Sequence, residues 1–159
     1  MRGFSAFAAL ALLSAAPAAA DPADAAAEQA RVAAAVEGFM AAFNAKDADA
    51  MASQSIAGAT VTVIEEQDGE DRLRTQPLET LISGISATGS DIAEPIWDMR
   101  VMQEGPVATV VANFDFLING VRSHCGTNVF NLVRVEGEWK IAGIAYSHIE
   151  EGCLGAPEQ

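Results

Sequence analysis

Turn signals divide the second half of the chain into long apolar segments. Glu104-Gly105, Asn119-Gly120 and Glu136-Gly137 each separate two stretches rich in β-branched and aromatic residues. Asn-Gly between such stretches is the strongest short signal for a β-hairpin, because both residues tolerate the positive φ of a tight turn. The sequence therefore predicts an antiparallel meander from about residue 96 to residue 149. This feature most narrowly limits what the chain can fold into.

Helical periodicity dominates the first half of the chain. Apolar residues recur at helical spacing from Val32 to Phe43, which predicts an amphipathic helix. Local signals predict, in chain order, a short helix over Ala48–Ser53 with Asp47 as its N-cap, a strand over Ala59–Glu66, a turn at Asp68-Gly69, a short strand over Arg72–Thr75 and a helix that begins at Pro77. Helices followed by a run of strands are typical of an α+β domain whose helices cover one face of a curved antiparallel sheet.

The first residues have the pattern of a secretory signal peptide. Arg2 is followed by an apolar run, Phe4–Leu13, and by small residues that end at Ala20. The apolar run is too short to span a bilayer, which takes about 20 residues. The sequence predicts a signal peptide over 1–20, a flexible acidic leader over 21–30, one domain over 31–149 and a tail over 150–159. The expected location is periplasmic or secreted.

Charge limits the partners that the chain can bind. Its 22 acidic and 9 basic residues give a net charge of −13. Nucleic acids and anionic lipid surfaces need a basic footprint, so neither is expected as a partner. The sequence carries no cofactor-binding motif, and we expect no cofactor.

The two cysteines are interpreted as a disulfide. Cys125 and Cys153 form an even pair in a chain expected to reach an oxidising compartment. A metal site built from these cysteines with His124 and His148 is the alternative, but the expected strand registers place the two histidines on opposite faces. We therefore predict no metal site.

Counting back from the turns predicts which side chains share a face of the sheet, since side chains alternate along a strand. One mostly apolar face is expected to line a pocket, with Trp97, Asn131, Tyr146 and His148 as its candidate binding residues. Asp115 is expected to lie opposite His124, either as a carboxylate that orients a general base or as a surface ion pair. Cys125 is expected opposite His148.

The other face is expected to carry large apolar residues together with charged ones. They are Phe130, Leu132, Trp139 and Ile141. Such residues would form an exposed patch in a monomer. A homodimer through this face of the sheet would cover it.

Two short motifs resemble a known superfamily. They are Phe43-Asn44 followed by Asp47 at the helix corner, and Gly137, Trp139 and Ile141 in the last hairpin. Both resemble the nuclear transport factor 2-like superfamily, which includes polyketide-cyclase-like and ketosteroid-isomerase-like proteins. The resemblance implies a cone-shaped, cystatin-like α+β roll with a pocket between helices and sheet, and often a dimer. The ketosteroid-isomerase set of two acids and a tyrosine is not matched, since Tyr146 lies in the last strand.

The expected function is binding of a small, largely apolar molecule in this pocket. A second interpretation is a cyclase, isomerase or dehydratase whose acid–base groups come from Tyr146, His148, Asp115 and His124. A third is a non-catalytic interaction module whose cone is filled by its own side chains. The sequence leaves open whether the chain is an enzyme.

Overall fold

A computed structural model describes residues 22–67, 69–153 and 155 of the chain. The elements are α1 (Pro22–Asn44), α2 (Ala48–Ser53), β1 (Ser55–Gln67), β2 (Glu70–Pro77), α3 (Leu78–Ala87), β3 (Ile92–Ala93), β4 (Ile96–Glu104), β5 (Val107–Ile118), β6 (Val121–Val135) and β7 (Glu138–His148). The predicted signal peptide lies outside the described residues. Within them, no helix combines the length and apolar character needed to span a membrane.

The seven strands form one mixed sheet in the order β2-β1-β7-β6-β5-β3, and β4 pairs with the same edge of β5 as β3 does. The α+β class is confirmed, with one departure from the expected antiparallel sheet. β1 and β7 run parallel, with Val63 beside Tyr146. Turn signals define only the direction of strands that follow each other in sequence, and this pairing joins the first strand to the last.

Each of three strand pairs contains a one-residue irregularity. Ser123 is the extra residue between β5 and β6, and Ala142 is the extra residue between β6 and β7. On β4, Asp98 adopts a positive φ of 54° where the register to β5 shifts. An extra residue moves all later side chains to the other face of a strand.

These shifts overturn two predicted strand pairings. Asp115 lies opposite Cys125 and not opposite His124. Cys125 lies opposite Ile149 and not opposite His148. The predictions assumed an unbroken ladder from each turn, and each ladder gains one residue before it reaches these positions.

The core lies between the helices and the concave face of the sheet. The four residues expected on the outer face belong to it, with exposed fractions of 1% for Phe130, 1% for Leu132, 7% for Trp139 and 1% for Ile141. That prediction was wrong because the extra residues in the ladders reverse the faces of β6 and of the start of β7. The expected exposure of these four residues was the reason for predicting a homodimer through this face. The chain's own helices cover them instead.

A buried carboxylate joins the start of α1 to the last hairpin. α1 already begins at Pro22, so most of the predicted flexible leader is helical. Glu28 is 8% exposed, and its Oε1 accepts hydrogen bonds from Trp139 Nε1 and Arg134 Nη1, each at 2.8 Å. Arg31 pairs with the other carboxylate oxygen. The first turns of α1 are thereby anchored to β6 and β7.

The predicted disulfide between Cys125 and Cys153 is present, with the two Cα atoms 5.8 Å apart. Cys125 and Ile149 exchange two backbone hydrogen bonds of 2.9 Å, and the chain then turns at Gly152, which has a φ of 76°. The bridge fixes the beginning of the C-terminal tail to β6.

Gly126 marks the closest approach between β6 and the last strand. A Cβ built there would overlap the backbone oxygen of Ser147 and lie 2.9 Å from the ring of Phe114. We expect Gly126→Ala to lower the free energy of unfolding by about 1 to 3 kcal/mol, the usual cost of overpacking. Urea unfolding of the purified chain measures this change.

Gly84→Ala is the matched control for that substitution. Gly84 lies in α3, and nothing approaches within 4 Å of the Cβ position. Alanine there is expected to raise the free energy of unfolding by about 0.5 to 1 kcal/mol, because alanine favours the helix more than glycine does. Equal effects of the two substitutions would contradict the close approach at Gly126.

Candidate functional site

A cavity of about 280 Å³ opens between α1, α3 and the concave face of the sheet. Its wall is mainly apolar and is formed by Phe39, Met40, Phe43, Val61, Leu81, Ile85, Phe116, Phe130 and Ile144. Its polar groups are those of Arg74, Glu94, His124, Asn128, Tyr146 and His148. An apolar cavity with a few convergent polar groups is the usual form of a small-molecule site.

The structure places some of the predicted pocket residues in this cavity and others outside it. Tyr146 and His148 line it, and so does His124, which was expected on the other face. Trp97 lies beside Asn113 on the outer face of β5. Asn131 is also on the outer face, where its Oδ1 accepts a hydrogen bond of 3.1 Å from Thr109 Oγ1. The register shifts in β4 and at Ser123 explain both errors.

Asp115 does not take part in the cavity or contact His124. Arg122 Nη2 donates a 2.8 Å hydrogen bond to Asp115 Oδ2, and the Asp115 residue is 5% exposed. His124 stacks instead on the ring of Phe116, with the ring centroids 4.9 Å apart. The predicted acid–base pair of Asp115 and His124 was therefore wrong, because Ser123 shifts the register between their strands.

Glu94 is the acidic residue of the cavity, and the sequence interpretation missed it. It lies in the break between β3 and β4, directly before Pro95. Its backbone is held by Asn44 at the end of α1: Glu94 N donates to Asn44 Oδ1 at 2.7 Å, and Asn44 Nδ2 donates to Glu94 O at 3.4 Å. The signal that could have found it is an acid next to a proline in an otherwise apolar strand region.

The helix corner recognised in the sequence positions Glu94. Lys46 Nζ donates to the carbonyl oxygens of Thr88 at 3.3 Å and Ser90 at 2.9 Å, which fixes the loop before β3. Asp47 caps α2 by accepting a 2.9 Å hydrogen bond from Ala50 N. Asn44, Lys46 and Asp47 therefore link the end of α1 to the segment that carries the cavity's carboxyl group.

Burial controls the ionisation of Glu94. Its carboxyl group is enclosed, and this raises its pKa from 4.5 to about 7. Asn128, which is 3% exposed, donates a 2.8 Å hydrogen bond to Glu94 Oε1 and opposes part of this rise in pKa. Among the described residues, no side chain or backbone group hydrogen-bonds to Glu94 Oε2. One carboxyl oxygen is therefore available to a bound molecule.

Two stacked histidines form another part of the wall. The rings of His124 and His148 are nearly parallel, at 12°, with their centroids 3.9 Å apart. Burial, together with the neighbouring His148, lowers the pKa of His124 from 6.5 to about 4, and Glu150 opposes part of this shift. His124 is thus neutral at pH 7. His148 Nε2 lies 3.4 Å from Glu150 Oε1 in the tail.

Tyr146 and Arg74 complete the polar groups of the cavity. Burial raises the pKa of the Tyr146 hydroxyl, so this group stays protonated and can donate a hydrogen bond. The Tyr146 ring packs edge-on against Phe114, with the centroids 6.0 Å apart. Arg74 Nε lies 3.4 Å from Glu65 Oε1. The Arg74 side chain is 64% exposed, so solvent screens its charge.

The raised pKa of Glu94 predicts a pH dependence of stability. The folded chain binds the Glu94 proton more tightly than the unfolded chain, whose ordinary pKa is 4.5. This contribution is fully present below pH 4.5 and is lost as the pH rises through about 7. Its largest value is about 3 kcal/mol.

Glu94→Gln tests this dependence, because glutamine cannot ionise. Urea unfolding from pH 4 to pH 8 should show a smaller loss of stability in the variant than in the unsubstituted chain. Glu79→Gln, on the exposed side of α3, is the control and should leave the profile unchanged. Parallel profiles for Glu94→Gln and the unsubstituted chain would contradict the raised pKa.

Comparison with known proteins identifies the family. No curated protein matches the chain in sequence. Similar solved structures include an NTF2-like protein of unknown function from Shewanella baltica, with 20% identity, a TM-score of 0.58, and coverage of 77% of this chain and 94% of that one. Another is a candidate dehydratase of the NTF2-like family from Streptomyces avermitilis, with 18% identity, a TM-score of 0.61, and coverage of 79% and 98%.

A third similar structure is the β subunit of a candidate aromatic-ring-hydroxylating dioxygenase from Novosphingobium aromaticivorans. It is 10% identical, with a TM-score of 0.64, and the match covers 82% of this chain and 95% of that subunit. These likenesses show a shared NTF2-like fold. The model of the SnoaL-like domain matches residues 32–150, and the chain therefore belongs to the family of SnoaL-like domains.

Proposed function

We propose that the cavity binds a small, largely apolar molecule that carries one hydroxyl or carbonyl group. The observation that carries this proposal is the available Glu94 oxygen inside an otherwise apolar cavity of about 280 Å³. Ligand cavities usually measure about 300 to 1,000 Å³, so this one suits a compact ligand of one or two rings. An open cavity of this volume argues against the alternative of a non-catalytic interaction module whose cone is filled by its own side chains.

The polar groups indicate how such a ligand is held. A hydroxyl group can donate to Glu94 Oε2, and a carbonyl oxygen can accept from the protonated Glu94 carboxyl or from Tyr146. Aromatic rings of Phe39, Phe116 and Phe130 provide apolar contact area. One similar solved structure is a subunit of a candidate aromatic-ring-hydroxylating dioxygenase, which agrees with ring compounds as ligands.

Export and dimer formation belong to the same proposal. The disulfide is compatible with an oxidising compartment, and the signal-peptide pattern of residues 1–20 supports cleavage near Asp21. The homodimer would use the outer face of the sheet near Met102 and Val107, which are 66% and 53% exposed. Sedimentation of the purified chain, with the mass of its N-terminal peptide, tests both statements.

Proton transfer at a carbon atom is a second candidate function, and one observation favours it. A general base is most effective when its pKa lies near the working pH, and burial raises the pKa of Glu94 to about 7. The Tyr146 hydroxyl lines the same cavity and can stabilise negative charge on a carbonyl oxygen. The chemistry would be of the isomerase, cyclase or dehydratase type.

Calorimetric titration with 2-naphthol and with naphthalene tests the binding proposal. We expect 2-naphthol to bind about fivefold more tightly, because one hydrogen bond contributes about 1 kcal/mol. Ile85→Trp, which fills the cavity from α3, should weaken binding of both compounds by about tenfold or more through steric exclusion.

Ser83→Trp is the matched control, since Ser83 is exposed on the same helix and does not line the cavity. Its affinity for 2-naphthol should equal that of the unsubstituted chain. Equal weakening by the two tryptophans, or equal affinity for the two compounds, would place binding elsewhere. Native mass spectrometry against a metabolite extract would then identify the natural ligand class.

Hydrogen exchange at the acidic C1 carbon of 2-tetralone in D₂O tests proton transfer. The rate should rise with pH through about 7 as Glu94 ionises. Glu94→Gln should lower the rate by about 100-fold or more, the usual contribution of a general base. A rate equal to that of buffer in the unsubstituted chain would reject catalysis and leave the binding function standing.

A further inference from the structure

A second group of chemically active side chains lies outside the cavity. Asp115 of β5 and Cys125 of β6 face each other across the ladder, and Cys153 reaches them from the tail. The two sulfur atoms and a carboxylate oxygen of Asp115 all lie within 4.8 Å of one another. Asp115 and Cys125 are each 5% exposed.

Asp115 has an oxygen that the fold does not use. Its Oδ2 accepts the 2.8 Å hydrogen bond from Arg122 Nη2. Its Oδ1 is buried and has no hydrogen-bond partner within the described part of the chain. A buried carboxylate oxygen without a partner costs about 1 to 3 kcal/mol or more, so its presence beside two sulfur atoms needs a physical reason.

Reduction of the disulfide would create a set of metal ligands around this oxygen. A dithiol reductant supplies two electrons and two protons, breaks the sulfur–sulfur bond, and leaves as its own cyclic disulfide. Cys125 and Cys153 then carry thiols, and each releases a proton when it binds a metal ion. Thiolate ligands favour Zn²⁺, which commonly takes three protein ligands and one water molecule.

The charges of the reduced group balance with zinc. Two thiolates and the Asp115 carboxylate bring three negative charges. Arg122 and a Zn²⁺ ion bring three positive charges. With the ion bound the group is thus neutral, and each buried charge in it is paired or coordinates the metal. Without the ion the two cysteines remain protonated as thiols, and Arg122 alone balances the Asp115 carboxylate.

We propose that the reduced chain binds one Zn²⁺ through Cys125 Sγ, Cys153 Sγ and Asp115 Oδ1. The disulfide form cannot bind the ion, so the metal site exists only after reduction. The zinc would then replace the disulfide as the link between β6 and the tail. His124 and His148 are not ligands, because both line the cavity on the other face of the sheet.

Titration with Co²⁺ and Zn²⁺ alone tests the site. The purified chain is compared with its disulfide intact and after anaerobic reduction by a dithiol that is then removed. We expect the reduced chain to show a thiolate-to-Co²⁺ charge-transfer band and to retain one Zn²⁺ per chain after gel filtration. The oxidised chain should show neither. A reduced chain without the band, or with one Zn²⁺ per two chains, would overturn the proposal.

Two substitutions distinguish the proposed role of Asp115 as a metal ligand from its ion pair with Arg122. Asp115→Asn should weaken Co²⁺ binding by about tenfold or more, which is the scale of loss at altered metal sites. Arg122→Gln leaves Oδ1 in place and should keep the charge-transfer band. Unchanged affinity in Asp115→Asn, or equal loss in both variants, would show that Oδ1 is not a ligand.

Asp98→Asn is the control, since Asp98 is exposed on β4 and lies outside the group. It should bind Co²⁺ as the unsubstituted chain does. Circular dichroism of each oxidised variant checks the fold before reduction. A variant that fails this check is set aside, and the comparison of oxidised with reduced unsubstituted chain decides the proposal.

Discussion

The single extra residue at Ser123 determines what the cavity contains. Without it, β6 would present Cys125, Asn131 and their alternating neighbours to the helices. With it, His124, Asn128 and Phe130 face inward and the disulfide faces outward. Side-chain alternation is a strict consequence of strand geometry, so one inserted residue changes the chemistry of a whole strand. The same extra residue therefore places the cavity on one face of the sheet and the sulfur-containing group on the other.

The cavity's carboxyl group is positioned by contacts that are distant in sequence. Glu94 lies where β5 changes its partner from β3 to β4, a place without regular pairing. Asn44 supplies the hydrogen bonds that the strand lacks there, and Asn128 orients the carboxyl from the middle of the sheet. The strand break thus exposes the Glu94 side chain to the cavity, while the backbone N–H and C=O groups of Glu94 remain hydrogen-bonded. The helix corner that resembles the nuclear transport factor 2-like superfamily in sequence also positions this group.

Local sequence signals predicted the elements, and nonlocal pairing decided the site. Asn119-Gly120 and Glu136-Gly137 gave the hairpins, Asp47 gave the cap of α2, and the cysteine pair gave the disulfide, because each depends on a few adjacent residues or on composition. Asp98, Ser123 and Ala142 are ordinary residues with no signal for an irregular ladder. Trp97, Asn131 and the pairing of Asp115 with His124 were therefore misplaced. Glu94 was missed because its burial depends on α1 and β6 together.

The parallel contact between β1 and β7 has a consequence for how the chain folds. β7 lies between β1 and β6, so the centre of the sheet is missing until the last strand has been made. Contacts between the ends of a chain carry a high entropic cost and form late. While the chain is being synthesised, the first hairpin, β1 and β2, lacks β7, which pairs with the other edge of β1. β7 must therefore be synthesised before the whole sheet can fold cooperatively, which favours a chain that remains unfolded until that point.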